Sequence, residues 1–342
     1  GRGASVAGSQ RAGNGVVGND AQGCRDGVSA GHRLLAAGTQ GGRPGAFPRS
    51  MPLGRAYGVS GQSRSRDCRT FEEVEMGLSD FYSPEPLFSQ INGELPATYR
   101  NTIVCGDCCD VLRRFPDNCV DLIVTSPPYN FGLEYDRCCD TLSWQRYFTL
   151  LKDVLNECIR VLKWSGRLAL NIQPLFSGQL PTHHVLSHYL LSEGMIWKAE
   201  ILWDKRNYNC RDCTWGSWRS PSSPYLKYTW EFVEVFCKGT LRKPGKQTEA
   251  DISAEEFKSW TSAHWKISPE YRMKRFGHPA MFPEELVERL LKLFSYRGDI
   301  VLDPFNGAGT TTFVARQLGR TYLGIDLSKK YCRTATQRLT MI

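Results

Sequence analysis

The hydrophobic pattern changes character once the chain passes its first hundred residues. Residues 1–69 show no sustained apolar period. They contain no Ile and no Trp and hold sixteen of the 32 glycines, so they cannot bury enough surface to offset the entropy of ordering. This segment reads as a disordered tail, and a linker marked by Pro84, Pro86 and Pro96 carries it to about Leu95. Residues 1–95 thus stand apart from a folded domain over 96–342. From Tyr99 onward, short β-branched runs alternate with stretches of helical period, the signature of a mostly parallel sheet covered on both faces. The pattern predicts strands at Thr102–Cys105, Val120–Thr125, Arg167–Ile172, Trp197–Trp203, Glu231–Cys237, Ile300–Asp303 and Thr321–Ile325. It predicts helices at Ser143–Lys163, closing near Gly166, and at Pro283–Tyr296, Gly309–Leu318 and Ser328–Leu339.

Charge modifies this picture only locally. Of the formal +8, residues 1–69 contribute ten Arg against three acids, while the rest holds 33 basic and 32 acidic residues. The tail reads as an arm for phosphates, a solvated extension, or a segment upstream of a start at Met51. Within the domain, Ile196–Gly277 carries fifteen Lys or Arg against ten acids, and any nucleic-acid surface must come from such clustering. No window approaches the ~18 apolar residues of a membrane span, and an intracellular protein is expected. The thirteen cysteines are scattered, so free thiols are expected rather than a disulfide framework. Cys105-x-x-Cys108 and Cys210-x-x-Cys213 have zinc half-site spacing, but small structural thiols suit their surroundings better.

Two motifs carry chemistry. "DPFNGAG" (Asp303–Gly309) follows an apolar strand and opens a helix, where glycines let backbone approach a ligand at a strand carboxyl end. Its spacing is neither G-x-G-x-x-G nor a P-loop with its Lys, which disfavours a phosphate cradle. Asp326 closes the next strand, placed to accept bonds from ribose hydroxyls. The second motif, "TSPPYN" (Thr125–Asn130), runs directly out of the buried-strand pattern "VDLIVT". Its prolines make a rigid turn without amide donors, so carbonyls are left to face a ligand. Such a turn can hold an exocyclic amino group: Ser126 Oγ and the Pro127 carbonyl accept its hydrogens while the ring stacks on Tyr129. An amino lone pair delocalised into a base is a poor nucleophile, so geometry and hydrogen bonding must activate it.

Together, "TSPPY" and "DPFNGAGTT" resemble the amino-methylating DNA methyltransferases that use S-adenosylmethionine, in the β order with the catalytic motif ahead of the cofactor motif. "CGDCCDVLRRFPDNCVDLIVTSPPYN", "WGSWRSPSSPYLKYTWEFVEVFCKG" and "GHPAMFPEELVERLL" extend the likeness over about residues 101–339. The resemblance implies an α/β, Rossmann-like, seven-stranded methyltransferase sheet, mostly parallel with one antiparallel strand, circularly permuted in motif order, with a small recognition insertion at about 241–274. It places Phe305, Gly307 and Gly309 at the methionine end of the cofactor, with Asp303, Pro304, Asn306 and Thr310 beside them. Asp326 would hold the ribose and Asp107 the adenine amino group, with His278 and Phe282 closing the pocket. From spacing alone, Asp107 serves equally well as a helix cap. The catalytic set is Ser126, Pro127, Pro128 and Tyr129, with no metal and no covalent intermediate.

Protein-glutamine methyltransferases place their glycine motif first, and cytosine C5 enzymes need a Pro-Cys nucleophile that this chain lacks. Members of the resembled family with Ser before the prolines mostly methylate cytosine N4 and those with Asp mostly adenine N6, so the resemblance implies cytosine N4 ahead of adenine N6. A partner of double-stranded DNA with the target base extruded follows from the chemistry, and an RNA base or a DNA-binding protein without catalysis are the rivals. The loop 131–140 and the stretch Trp215–Lys227, with Arg219 and Lys227, are candidate DNA contacts, as are Arg242, Lys243 and Lys246 and the "KSWTSAHWK" run (Lys258–Lys266) in the insertion. A cognate restriction enzyme, the oligomeric state, and nucleoid, cytoplasm or nucleus as the compartment are left open.

Overall fold

A computed structural model of the chain describes residues 88–341 except 131, 137–139, 175–179, 208–215, 225 and 227. The tail, most of the linker, Lys227 and the pair Cys210/Cys213 therefore lie outside the described residues. In chain order the elements are β1 (Thr102–Cys105), α1 (Cys108–Leu112), β2 (Val120–Thr125), α2 (Trp144–Val161), β3 (Leu162–Ile172), α3 (Thr182–Ser192), β4 (Ile196–Asp204) and β5 (Trp230–Cys237). They continue as α4 (Ala254–Trp260), β6 (His264–Lys266), α5 (Met273–Phe276), α6 (Glu284–Phe294), β7 (Ile300–Asp303), α7 (Thr310–Gln317), β8 (Thr321–Asp326) and α8 (Lys329–Leu339).

The strands form one sheet in the order β1-β8-β7-β2-β3-β5-β4-β6, in which β5 alone runs antiparallel to its neighbours. The sheet therefore has eight strands where seven were expected. The additional strand, β6, is three residues long and pairs parallel to β4 through His264, Trp265 and Lys266. Only Trp265 of the three is buried, so the run is too short to display a period. It lies within the expected recognition insertion, and that segment is in part a helix-and-strand extension of the sheet.

Side chains of β2 alternate between two apolar layers. Ile123 joins Leu151, Leu155, Leu168 and Leu302 on one side, while Leu122 and Val124 join Val233, Leu290, Val301 and Val314 on the other. All six residues of β2 are buried, as expected for a central parallel strand packed on both faces. Helix α2 buries Tyr147, Leu151, Val154, Leu155, Cys158 and Ile159 along one stripe, and Ser143 caps it by accepting from the Arg146 amide. It does not close near Gly166. The chain passes straight from Val161 into β3, whose pairing with β2 shifts register between Val120 and Leu122. Ser165 takes a positive φ of 68° and a Cβ on Gly166 would lie 2.8 Å from Leu162 Cγ, so the glycine serves a bulge in the strand.

Helices α1, α3, α4 and α5 are not predicted by the hydrophobic pattern. Among the described residues no helix is long and apolar enough to cross a membrane, and Cys105, Cys108, Cys109, Cys119, Cys158, Cys237 and Cys332 are free thiols.

Candidate active site

Strand direction assembles the site. β2, β7 and β8 end on the same edge of the sheet, so the turns after Thr125, Asp303 and Asp326 converge there. They line a cavity of about 1140 Å³ that also reaches Asp107, His278 and Phe282. Ser126, Pro127, Pro128, Tyr129, Pro304, Phe305, Asn306, Gly307 and Thr310 all face it. Of the expected cofactor residues, Gly309 alone does not line the cavity. Its φ is +82° and an added Cβ would sit 2.6 Å from Ala335 Cβ, so it caps α7 and lets α8 approach.

Asp303 links the two motifs. Oδ1 accepts from Thr125 Oγ1 at 2.8 Å and from the Phe305 amide at 3.1 Å, and Oδ2 accepts from Thr311 Oγ1 at 2.7 Å. Burial nevertheless raises its pKa to about 6, against the pull of those donors. Asp326 holds the glycine turn in a similar way, accepting from the Gly307 amide and the Ser328 amide at 2.8 Å each. Its pKa is raised, by burial first. Beneath the turn, buried Arg338 donates to the Ala308 carbonyl at 2.9 Å, to Thr310 Oγ1 at 3.2 Å and to Glu284 at 2.9 Å. Sequence reasoning missed Arg338, which looks like one more cation of the last helix.

His278 packs over the glycine turn: a Cβ on Gly307 would lie 2.7 Å from its Nε2. Its Nδ1 accepts from the Ala280 amide at 3.3 Å, its ring lies 4.4 Å from that of Tyr331, and burial lowers its pKa to about 4. It is a neutral imidazole near pH 7. Asp107 caps α1 through Oδ1, to the amides of Cys109 and Asp110, and borders the cavity as well.

The Ser126–Tyr129 turn is more strongly buttressed than its sequence suggests. The Pro128 carbonyl accepts from Tyr147 OH at 2.8 Å, whereas the Pro127 carbonyl has no hydrogen bond among the described residues. Ser126 Oγ lies 2.8 Å from Tyr129 OH, and Tyr129 donates to Glu231 Oε2 at 3.0 Å. Asn171 Nδ2 reaches Glu231 Oε2 at 2.6 Å and Tyr129 OH at 2.8 Å, and Lys205 pairs with Glu231 Oε1. Burial, then the charge of Glu231, holds the Tyr129 pKa well above its ordinary value. Glu231 is the second residue of β5, and because β5 is antiparallel its first residues stand at the edge where its neighbours end.

The expected DNA contacts divide by edge of the sheet. β5 delivers Arg242, Lys243 and Lys246 to the opposite edge from the cavity, since Cys237 pairs with Arg167 near the start of the pairing with β3. Lys243 is enclosed there between Asp121 at 3.4 Å and Asp299 at 3.3 Å and ties the starts of β2 and β7. Arg219 is exposed beside Trp218, in a loop whose Ser223, Pro224 and Leu226 border the cavity. Exposed Lys266, Arg272, Lys274 and Arg275 flank Glu270 and Met273 on the cavity edge.

The cavity joins a rigid acceptor turn to a glycine turn at one edge of the sheet, and comparison with known proteins gives the family. The DNA methylase family of N6 and N4 amino methyltransferases matches residues 120–337, and the chain belongs to this family. It is 30% identical over 247 residues to the type II methyltransferase M.HpaI of Haemophilus parainfluenzae, covering 69% of this chain and 73% of that one. It is 29% identical over 253 residues to the DNA adenine methyltransferase YhdJ of Escherichia coli K12, covering 70% and 82%. The crystal structure of the Thermus thermophilus protein TTHA0409 complexed with S-adenosyl-L-methionine superposes with a TM-score of 0.57 at 26% identity, covering 70% of this chain and 95% of that one.

Proposed function

We propose that this chain transfers a methyl group from S-adenosylmethionine to the N4 amino group of cytosine in DNA. The observation that carries the reading is the convergence of Ser126 and Tyr129 with Gly307 and Asp326 on one cavity, large enough for a cofactor and an extruded base together. The residues present suit that cofactor: Phe305 and Gly307 line the cavity on the glycine turn, Asp326 offers a carboxylate to a ribose, and Asp107 offers one to an adenine amino group. When bound, S-adenosylmethionine supplies an electrophilic methyl on a sulfonium. Ser126 Oγ and the Pro127 carbonyl accept the two amino hydrogens, the Tyr129 ring supports the base, and neutral His278 closes the glycine turn without adding like charge near the sulfonium. Duplex contacts come from Arg219, Lys266, Lys274 and Arg275 around the mouth.

Serine rather than aspartate before the prolines supports cytosine. Adenine N6 is the second reading, supported by the name of the Escherichia coli relative. Nucleoside mass spectrometry of DNA incubated with the protein and cofactor separates them. N4-methylcytosine is expected, and N6-methyladenine alone would overturn the choice of base.

A further inference from the structure

We propose that Glu231 positions Ser126 for the reaction and receives the proton that the methylated amino group must shed, acting through the phenol of Tyr129. This deepens the function proposed above and rests on it. The direction of the hydrogen bonds follows from counting donors. Glu231, paired through Oε1 with Lys205, can only accept at Oε2. Asn171 Nδ2 has two hydrogens, and its nearest acceptors are Glu231 Oε2 at 2.6 Å and Tyr129 oxygen at 2.8 Å, with Ser126 Oγ at 3.4 Å. Tyr129 must donate to Glu231 at 3.0 Å, because the reverse arrangement sets a phenol lone pair against a carboxylate oxygen. The remaining 2.8 Å bond is then donated by Ser126 to Tyr129, which leaves the Ser126 lone pairs for the substrate amino group. A neutral serine is a weak base, and the buried carboxylate two bonds behind it supplies the missing basicity.

The step balances. The N–H proton passes to Ser126 Oγ, the Ser126 proton to Tyr129 oxygen and the Tyr129 proton to Glu231 Oε2. Three bonds to hydrogen break and three form, nothing is oxidised, and the products are a neutral methylamino group and a protonated Glu231. Glu231 touches neither substrate nor cofactor in this scheme. It is a positioning residue that acts at a distance of two side chains.

The test compares wild type with Glu231→Gln, Tyr129→Phe and the double variant, by single-turnover methyl transfer to duplex DNA and by calorimetric titration with S-adenosylmethionine. Each single change should slow transfer by about 100-fold, the scale of a lost acid–base group, with cofactor affinity kept within about threefold. The double variant should be no slower than Tyr129→Phe, since the path is already cut. Wild-type rates in Glu231→Gln, or losses that multiply in the double variant, overturn the proposal, because a structural ion pair would give the latter. If Glu231→Gln fails to bind cofactor, Tyr129→Phe decides, as it leaves the Lys205–Glu231 pair in place, and an unchanged rate there overturns the proposal too. A wild type that binds cofactor but labels no DNA overturns the functional reading itself, which distinguishes that failure from this one.

Discussion

Thr125 and Asp303 stand 178 residues apart in sequence and share a buried 2.8 Å hydrogen bond. That bond fastens the end of the strand that bears the acceptor turn to the end of the strand that bears the glycine turn. Removing the carboxylate by Asp303→Ala leaves two threonine hydroxyls and the Phe305 amide without their acceptor, so a loss of about 3 kcal/mol is expected. Thr125→Val should cost about 1 kcal/mol. Chemical unfolding gives both values, and titration with S-adenosylmethionine should show weakened binding for Asp303→Ala.

Gly307 lies under His278 at a φ of +49°. Gly307→Ala pushes a methyl group into the imidazole and should weaken cofactor binding about tenfold, equivalent to ~1.4 kcal/mol. Adding His278→Ala removes the clash and should restore part of that loss. Calorimetric titration of the three variants checks this, and no recovery in the double variant would show that backbone strain is the whole effect.

The two sets of cations should separate cleanly. Lys274→Ala with Arg275→Ala is expected to weaken duplex binding and to lower the slope of log K against log salt by about two. Lys243→Ala leaves Asp121 and Asp299 facing each other without their shared cation, so it should lower the melting temperature and leave the salt slope unchanged. Filter binding across a salt series and thermal melts measure the two effects.

Glu234 is buried opposite Glu200 in the β4–β5 pairing and accepts from Trp197 Nε1 at 3.1 Å. Burial raises its pKa from 4.5 to about 7. Because the folded value is the higher one, protonation stabilises the fold fully below about pH 4.5, and that contribution is lost as pH rises through about 7. The melting temperature should fall from pH 5 to pH 8, and Glu234→Gln should remove that part of the decline and melt higher than wild type at pH 8. An identical pH profile in the variant would contradict the assignment.

Much of this was legible in the chain because parallel central strands are continuous apolar runs. β2 and β7 fall at the residues their patterns predict, as does the edge strand β1, and the turns after β2 and β7 carry the two motifs. What escaped reading depends on strand direction and on distant pairing. An acid near the head of "WEFVEVF" looks like the polar face of an edge strand, and only the reversal of β5 brings Glu231 to the Ser126–Tyr129 turn. Lys243 sits in a basic exposed-looking stretch, and its partners Asp121 and Asp299 are neighbours only once β2 and β7 are paired. β6 was too short to show a period, and Arg338 resembles an ordinary helix-end cation until its carbonyl and hydroxyl partners are in place.

This cavity is proposed to hold the amino group of a DNA base against the cofactor methyl. The most direct test follows labelled methyl from S-adenosylmethionine into duplex DNA, with wild type and Tyr129→Ala matched for cofactor affinity by calorimetry. Label should enter DNA with wild type and fall by more than about 100-fold in Tyr129→Ala at nearly unchanged cofactor binding. Full activity in Tyr129→Ala, or a wild type that binds cofactor and leaves DNA unlabelled, would contradict it.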